Sequence, residues 1–290
     1  MHRRVLLLAC VIAYAPAAFC EQNSPQALKG KLAYVQLTDG TWQVWEHDLA
    51  TADRRQLTAT PADKRSPSWT KDGQVAYCTA NQRCFQTLEG TQANDLLLAD
   101  LWPVRDVVWS PDGSALAFSR FRTDLVDSAN LWLSDGADKN RRMLTQDAGT
   151  QQHPAWSPDG KQIAFSAGQG YGTYEIYVIN ADGSDRRRLT SNSTHDFLPA
   201  WSPDGKQIAW SSDATGDYEI WVMNADGSNP RQLTASPGLD TRPSWSPDGS
   251  SIVFGTNRSG TLEIWVMNAD GTNPQLLEQA AGGVSDPTWR

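Results

Sequence analysis

The sequence predicts an all-β fold, a six-bladed β-propeller of four-stranded antiparallel blades whose ring is closed by the C-terminal strand pairing with the N-terminal blade. Three observations predict it. A Trp-centred segment recurs along the chain, two tight-turn motifs recur at set offsets from it, and the two ends of the chain hold complementary fragments of one repeat. Thirteen Trp stand against seven Tyr and seven Phe in 290 residues, and the repeat accounts for most of that excess.

The N-terminus carries a positive pair, Arg3 and Arg4, an apolar stretch from Val5 to Ala13, and mostly small residues from Ala15 to Cys20. This is the layout of a secretory signal peptide, so residues 1–20 are expected to be removed, with cleavage after Cys20 or after Ala17 both fitting. A lipoprotein reading fits poorly, because only five apolar residues precede Cys10 and bulky Phe19 precedes Cys20. Loss of Arg3 and Arg4 takes the net charge from −8 to −10. Of four Cys, only Cys78 and Cys84 then remain. A pair six residues apart in an oxidising compartment reads as a disulfide across a hairpin, whereas a redox or metal pair lacks a nearby His.

Residues 21–29 are a short connecting segment, and residues 30–290 are read as the propeller. PAWSPDGKQIAF begins at Pro154, PAWSPDGKQIAW at Pro199, PSWSPDGSSIVF at Pro243, VVWSPDGSALAF at Val107 and a weaker PSWTKDGQVAY at Pro67. Their Trp residues, with Trp289, are spaced by 40, 47, 45, 44 and 44 residues, the range of propeller blades. Within a unit, PxW is a first strand and Ser-Pro-Asp-Gly a tight turn, with Pro presetting φ and Gly supplying the positive φ. An alternating strand such as Gln162 to Phe165 follows, then a variable loop and a β-rich strand such as Glu219 to Met223. Asn-Ala-Asp-Gly turns into a short fourth strand. The chain ends in Pro287-Thr288-Trp289-Arg290, a first strand without the other three, while Gly30 to Tyr34 match a second strand without a first. Joining them closes the ring and removes open edges.

Six Trp open the first strands. Trp45, Trp132, Trp221 and Trp265 share one third-strand position, filled by Tyr177 elsewhere, and Trp210 takes a second-strand aromatic slot. Only Trp42 and Trp102 fall outside the pattern. Glu175, Glu219 and Glu263 also recur at one position, with Asn130 and Gln43 as counterparts, which reads as a structural hydrogen bond rather than catalysis. The Asn180 to Asp185 turn resembles part of a calcium loop but recurs at Asn224 and Asn268 without the second Asp. The glycine-rich run Gly168 to Gly172 precedes no helix that could hold a phosphate.

The unit PxWSPDGKxIAF…EIWVMNADGSNPRQLT resembles the WD40-like (PD40) repeat of the TolB family, over about residues 30–290. The resemblance implies a periplasmic propeller that holds a protein partner of the cell envelope, a peptidoglycan-associated lipoprotein in that family, by loops at the mouth of the central channel. The α/β domain that precedes the propeller in that family has no counterpart in residues 21–29. The resemblance further implies calcium in the channel as a candidate cofactor, with Asp196 and Asp240 as candidate ligands; no other cofactor is expected.

Variable loops on a repeated scaffold are the usual seat of binding, and the segments before each PxW lie nearest the axis. The candidate partner-binding residues there are Arg65, Arg105, His153, His195, Asp196, Phe197, Leu198, Asp240, Arg242 and Asp286. By position, the resemblance places His153, Leu198 and Arg242 in the partner-contacting loops. The acidic balance excludes a general nucleic-acid binder, and no apolar run reaches the roughly 18 residues of a membrane span. No GxSxG elbow or HExxH helix is present, and His47, His153 and His195 do not fall at matching repeat positions. The expectation is a monomeric, non-catalytic, periplasmic protein-binding propeller. The alternative is a carbohydrate-binding or carbohydrate-active propeller of lyase or glycosidase type.

Overall fold

The computed structural model describes residues 28–87, 94–97, 103–122, 128–135, 140–168 and 173–290. The expected signal peptide, most of segment 21–29, Trp102 and most of the glycine-rich run lie outside them. Every regular element described is a β-strand, and among the described residues no helix is long and apolar enough to cross a membrane.

Strands β1 (Lys31–Thr38), β2 (Thr41–Asp48) and β3 (Asp53–Gln56) open the chain. β4 (Lys64–Trp69), β5 (Val75–Thr79), β6 (Cys84–Thr87) and β7 (Asn94–Leu97) form a separate sheet. Next come β8 (Val104–Trp109), β9 (Ala115–Phe121), β10 (Ala129–Asp135), β11 (Arg142–Met143), β12 (Thr150–Trp156), β13 (Gln162–Gly168), β14 (Tyr174–Asn180) and β15 (Arg187–Arg188). Two further four-stranded sheets are β16 (Asp196–Trp201), β17 (Gln207–Ser212), β18 (Glu219–Asn224) and β19 (Arg231–Gln232), then β20 (Asp240–Trp245), β21 (Ser251–Thr256), β22 (Glu263–Asn268) and β23 (Gln275–Glu278). The last strand, β24 (Val284–Trp289), pairs antiparallel with β1 in a sheet ordered β24-β1-β2-β3.

The all-β propeller architecture is present, but the expected six separate four-stranded blades are not. Among the described residues four four-stranded sheets stand alone, whereas β8 to β15 form one eight-stranded sheet, and no sheet closes on itself. The physical reason lies at β10. Its partner β11, as short as β15 and β19, pairs only with Trp132 and Leu133, and what sets β10 apart is a backbone contact at its start. The chain entering β12 makes that contact: Ala129 N–H donates to the Gly149 carbonyl at 3.3 Å, and Ala129 and Thr150 form a parallel bridge.

The repeat motifs explain the local structure. In the Ser-Pro-Asp-Gly turns, Ser157 Oγ donates to Asp159 at 2.6 Å and accepts the Gln162 N–H at 2.9 Å, locking the turn on both sides. Ser110, Ser202 and Ser246 repeat this arrangement. The serine and backbone donors hold the turn carboxylates below their ordinary range, Asp112 at about 2. Asp182, in the calcium-like turn, is used by Ser184.

Alternating apolar side chains fill the gaps between neighbouring sheets. Ile176, Val178, Ile208, Trp210 and Met223 form one such layer, with Trp201 and Trp221 packed against it; each fully buried side chain of this size contributes about 1.5–3 kcal/mol. The inner Trp side chains also tie strands together. Trp156 Nε1 donates to the Val108 carbonyl (3.3 Å), Trp245 to Ala200 (3.2 Å) and Trp69 to Thr288 (3.1 Å). The recurrent Glu position is structural: Glu175 and Glu219 each accept from a Thr hydroxyl, Thr190 and Thr234, that in turn accepts the N–H of Ile176 and Ile220. Cys78 and Cys84 face each other across β5 and β6 and are joined by a disulfide.

Candidate functional site at the channel mouth

The six inner strands β24, β4, β8, β12, β16 and β20 touch one another in that order and back to β24, enclosing a channel of about 660 Å³. Each carries the same defect. Register against its neighbour skips one residue, between Arg65 and Ser68 in β4 and at the matching place in the other five. A bulge of this kind bends the strand and re-aims a side chain.

The bulge residue is Ser66, Asp106, His153, Leu198, Arg242 or Asp286, and its φ lies between 51° and 58° in all six. Left-handed backbone costs an L-residue about 1–2 kcal/mol. Repeating it six times at one level marks a built feature, and strained backbone of this kind clusters at functional sites. All six residues line the channel.

The ring is divided. On one arc, Arg242 Nε lies 2.8 Å from Asp286 Oδ1, and the other oxygen of Asp286 accepts the Ser66 N–H at 2.9 Å. Ser66 Oγ in turn donates to Asp106 at 3.3 Å. On the other arc stand His153 and Leu198. Burial holds His153 below its ordinary value of 6.5, against the opposing pull of Asp106, and so favours the neutral imidazole. Beneath the ring, buried Ser166 and Ser211 accept the N–H groups of Leu198 and Arg242 (3.2 and 3.1 Å), holding two bulges in place. At the opposite, tight-turn end of the channel, Arg290 donates to the Lys71 carbonyl at 2.7 Å.

Of the ten candidates read from sequence, His153, Leu198, Arg242 and Asp286 come together in this ring. The other six do not line the channel. Asp196 is fully buried and accepts from Trp210 Nε1 and Asn192; Asp240 is equally buried and accepts from Arg258 and Ser236. Both oxygens of Asp196 and the Oδ2 of Asp240 are engaged inside the sheets, and neither carboxylate lines the channel, so they do not fit a channel calcium site. Among the described residues no three His, Cys, Asp or Glu side chains converge to hold a metal ion. His195 pairs with Asp213 at 3.1 Å, Phe197 packs edge-on against Tyr218 at 4.8 Å, and Arg105 lies over the Phe121 ring at 4.5 Å. Arg65 is half-buried in β4.

Ring members Ser66 and Asp106, and the supporting Ser166 and Ser211, are absent from the candidates read from sequence. The recurring aromatic-Ser pairs Phe165-Ser166 and Trp210-Ser211 carry a readable signal for the support.

A family model described as the TolB beta propeller domain matches residues 93–221 and 195–290. The chain belongs to the TolB beta-propeller family. Among solved structures, a putative TolB from Agrobacterium tumefaciens is similar with a TM-score of 0.73 at 23% identity, over 87% of this chain and 90% of that one. TolB from Acinetobacter baumannii gives a TM-score of 0.78 at 22% identity, over 91% and 67%. An oligogalacturonate lyase in complex with manganese gives 0.61 at 19%, over 85% and 73%. At these identities the likeness shows the TolB-type fold alone. No curated protein matches the sequence.

Proposed function

We propose that this TolB-family propeller is a non-catalytic binding module of the periplasm that holds an envelope protein at its channel mouth. The observation that carries this reading is the ring of six bulged residues, which presents one charged arc and one neutral arc on one rim. Such a mixture of fixed polar groups and apolar contact suits protein recognition. The names of the two TolB structures support the same direction, and the secretory layout of residues 1–20 supports the compartment.

The test is recovery of partners from envelope extracts by the wild-type chain and by Leu198→Asp, which adds a charge to the neutral arc. Loss of a specific protein with the variant is expected. Equal recovery of every protein by both rejects the mouth as the binding face.

A carbohydrate ligand is the second reading. It is favoured by the half-exposed cluster of Phe197, Tyr218, Tyr174 and His195 outside the ring and by the likeness to the lyase fold. Release of reducing ends from acidic or cell-wall polysaccharides would establish it.

A further inference from the structure

We infer that the occupant of the channel mouth presents a basic side chain, arginine or lysine, to Asp106, and that this carboxylate selects the partner. The inference rests on the reading that the mouth holds a protein. It follows from the contrast between the two carboxylates of the ring. Asp286 is saturated, taking the Arg242 guanidinium at 2.8 Å, the Ser66 N–H at 2.9 Å and the Ser285 hydroxyl at 2.9 Å. Asp106 has only the hydroxyls of Ser66 and Ser119, both long at 3.3 and 3.4 Å, and no ion pair among the described residues.

Its surroundings leave that charge unanswered. In the order of inner strands its neighbours are Ser66 and His153, and Arg242 stands three strands away, committed to Asp286. Arg105, next in the chain, lies over Phe121. A half-buried carboxylate facing a cavity has lost part of its hydration, and a charge-assisted bond from a guanidinium or ammonium replaces it. Leu198, one strand beyond His153, offers an apolar contact for the methylene stem of such a side chain.

The experiment selects peptides from a random-sequence display library on the full chain and keeps those that Leu198→Asp no longer binds. A basic residue should recur in these peptides. Replacing it by citrulline or norleucine should weaken binding to the wild type about ten- to hundredfold, and much less to Asp106→Asn. The citrulline comparison on the wild-type chain needs no protein variant, so it stands even where Asp106→Asn folds poorly. Mouth-binding peptides without a basic residue, or with one that citrulline replaces at no cost, overturn the inference and leave the protein-binding reading intact. Failure to recover any peptide sensitive to Leu198→Asp counts against both.

Discussion

Arg242 Nε lies 2.8 Å from Asp286 Oδ1, and this contact joins the neighbouring inner strands β20 and β24 at the level of the channel mouth. Asp286 is nearly buried, with its side chain 10% exposed. Arg242→Gln therefore leaves a mostly desolvated carboxylate short of its charged donor. The expected loss is about 1–3 kcal/mol, read as a lower urea midpoint at unchanged slope.

His153 sets a pH dependence. Burial lowers its pKa in the folded chain below 6.5, so the unfolded chain binds its proton first as pH falls. The stability linked to this site is complete above about pH 6.5 and is lost progressively below it. Denaturation midpoints at pH 7.5 and 5.5 should differ less in His153→Asn than in the wild type, and Asn also tolerates the left-handed backbone.

The inner Trp residues should not be equivalent. Trp245 Nε1 donates to the Ala200 carbonyl, whereas the buried Nε1 of Trp201 has no hydrogen-bond partner among the described residues. Trp245→Phe should cost about 1 kcal/mol more than Trp201→Phe, measured by denaturant titration of both variants.

Arg258 serves one sheet in two ways, donating to fully buried Asp240 at 2.7 Å and lying over the Trp265 ring at 4.3 Å. Burial, followed by the proximity of Asp240, already raises the pKa of Glu219. Arg258→Met removes the only cation paired with these carboxylates among the described residues. A loss of about 3–5 kcal/mol is expected, partly recovered by adding Asp240→Asn in a double-mutant cycle.

Much of the fold was legible because it is written in short motifs. Ser157, Asp159 and Gly160 make their turn by local hydrogen bonds and one positive φ, and such chemistry repeats wherever the letters repeat. The merging of β8 to β15 was not legible, since it depends on the Ala129 backbone meeting Gly149 and Thr150, and backbone contacts leave no signature in side chains. The ring was half legible. Proximity to Pro located His153, Leu198, Arg242 and Asp286, yet a residue before Pro is ordinarily extended, so nothing announced a left-handed bulge. Without the bulge, neighbouring positions looked equivalent, and buried Asp196 and Asp240 were grouped with the channel. Ser66 and Asp106 were passed over because their role depends on where the bulge aims them.

The central claim, that the ring at the mouth is the binding face, is tested most directly by photo-crosslinking in the intact envelope. A photoreactive phenylalanine analogue replaces Leu198 in one chain and Asp226, on a tight turn at the opposite face, in another. The account predicts a discrete adduct with an envelope protein from position 198 and none from position 226. An adduct from position 226 with none from position 198 would contradict it.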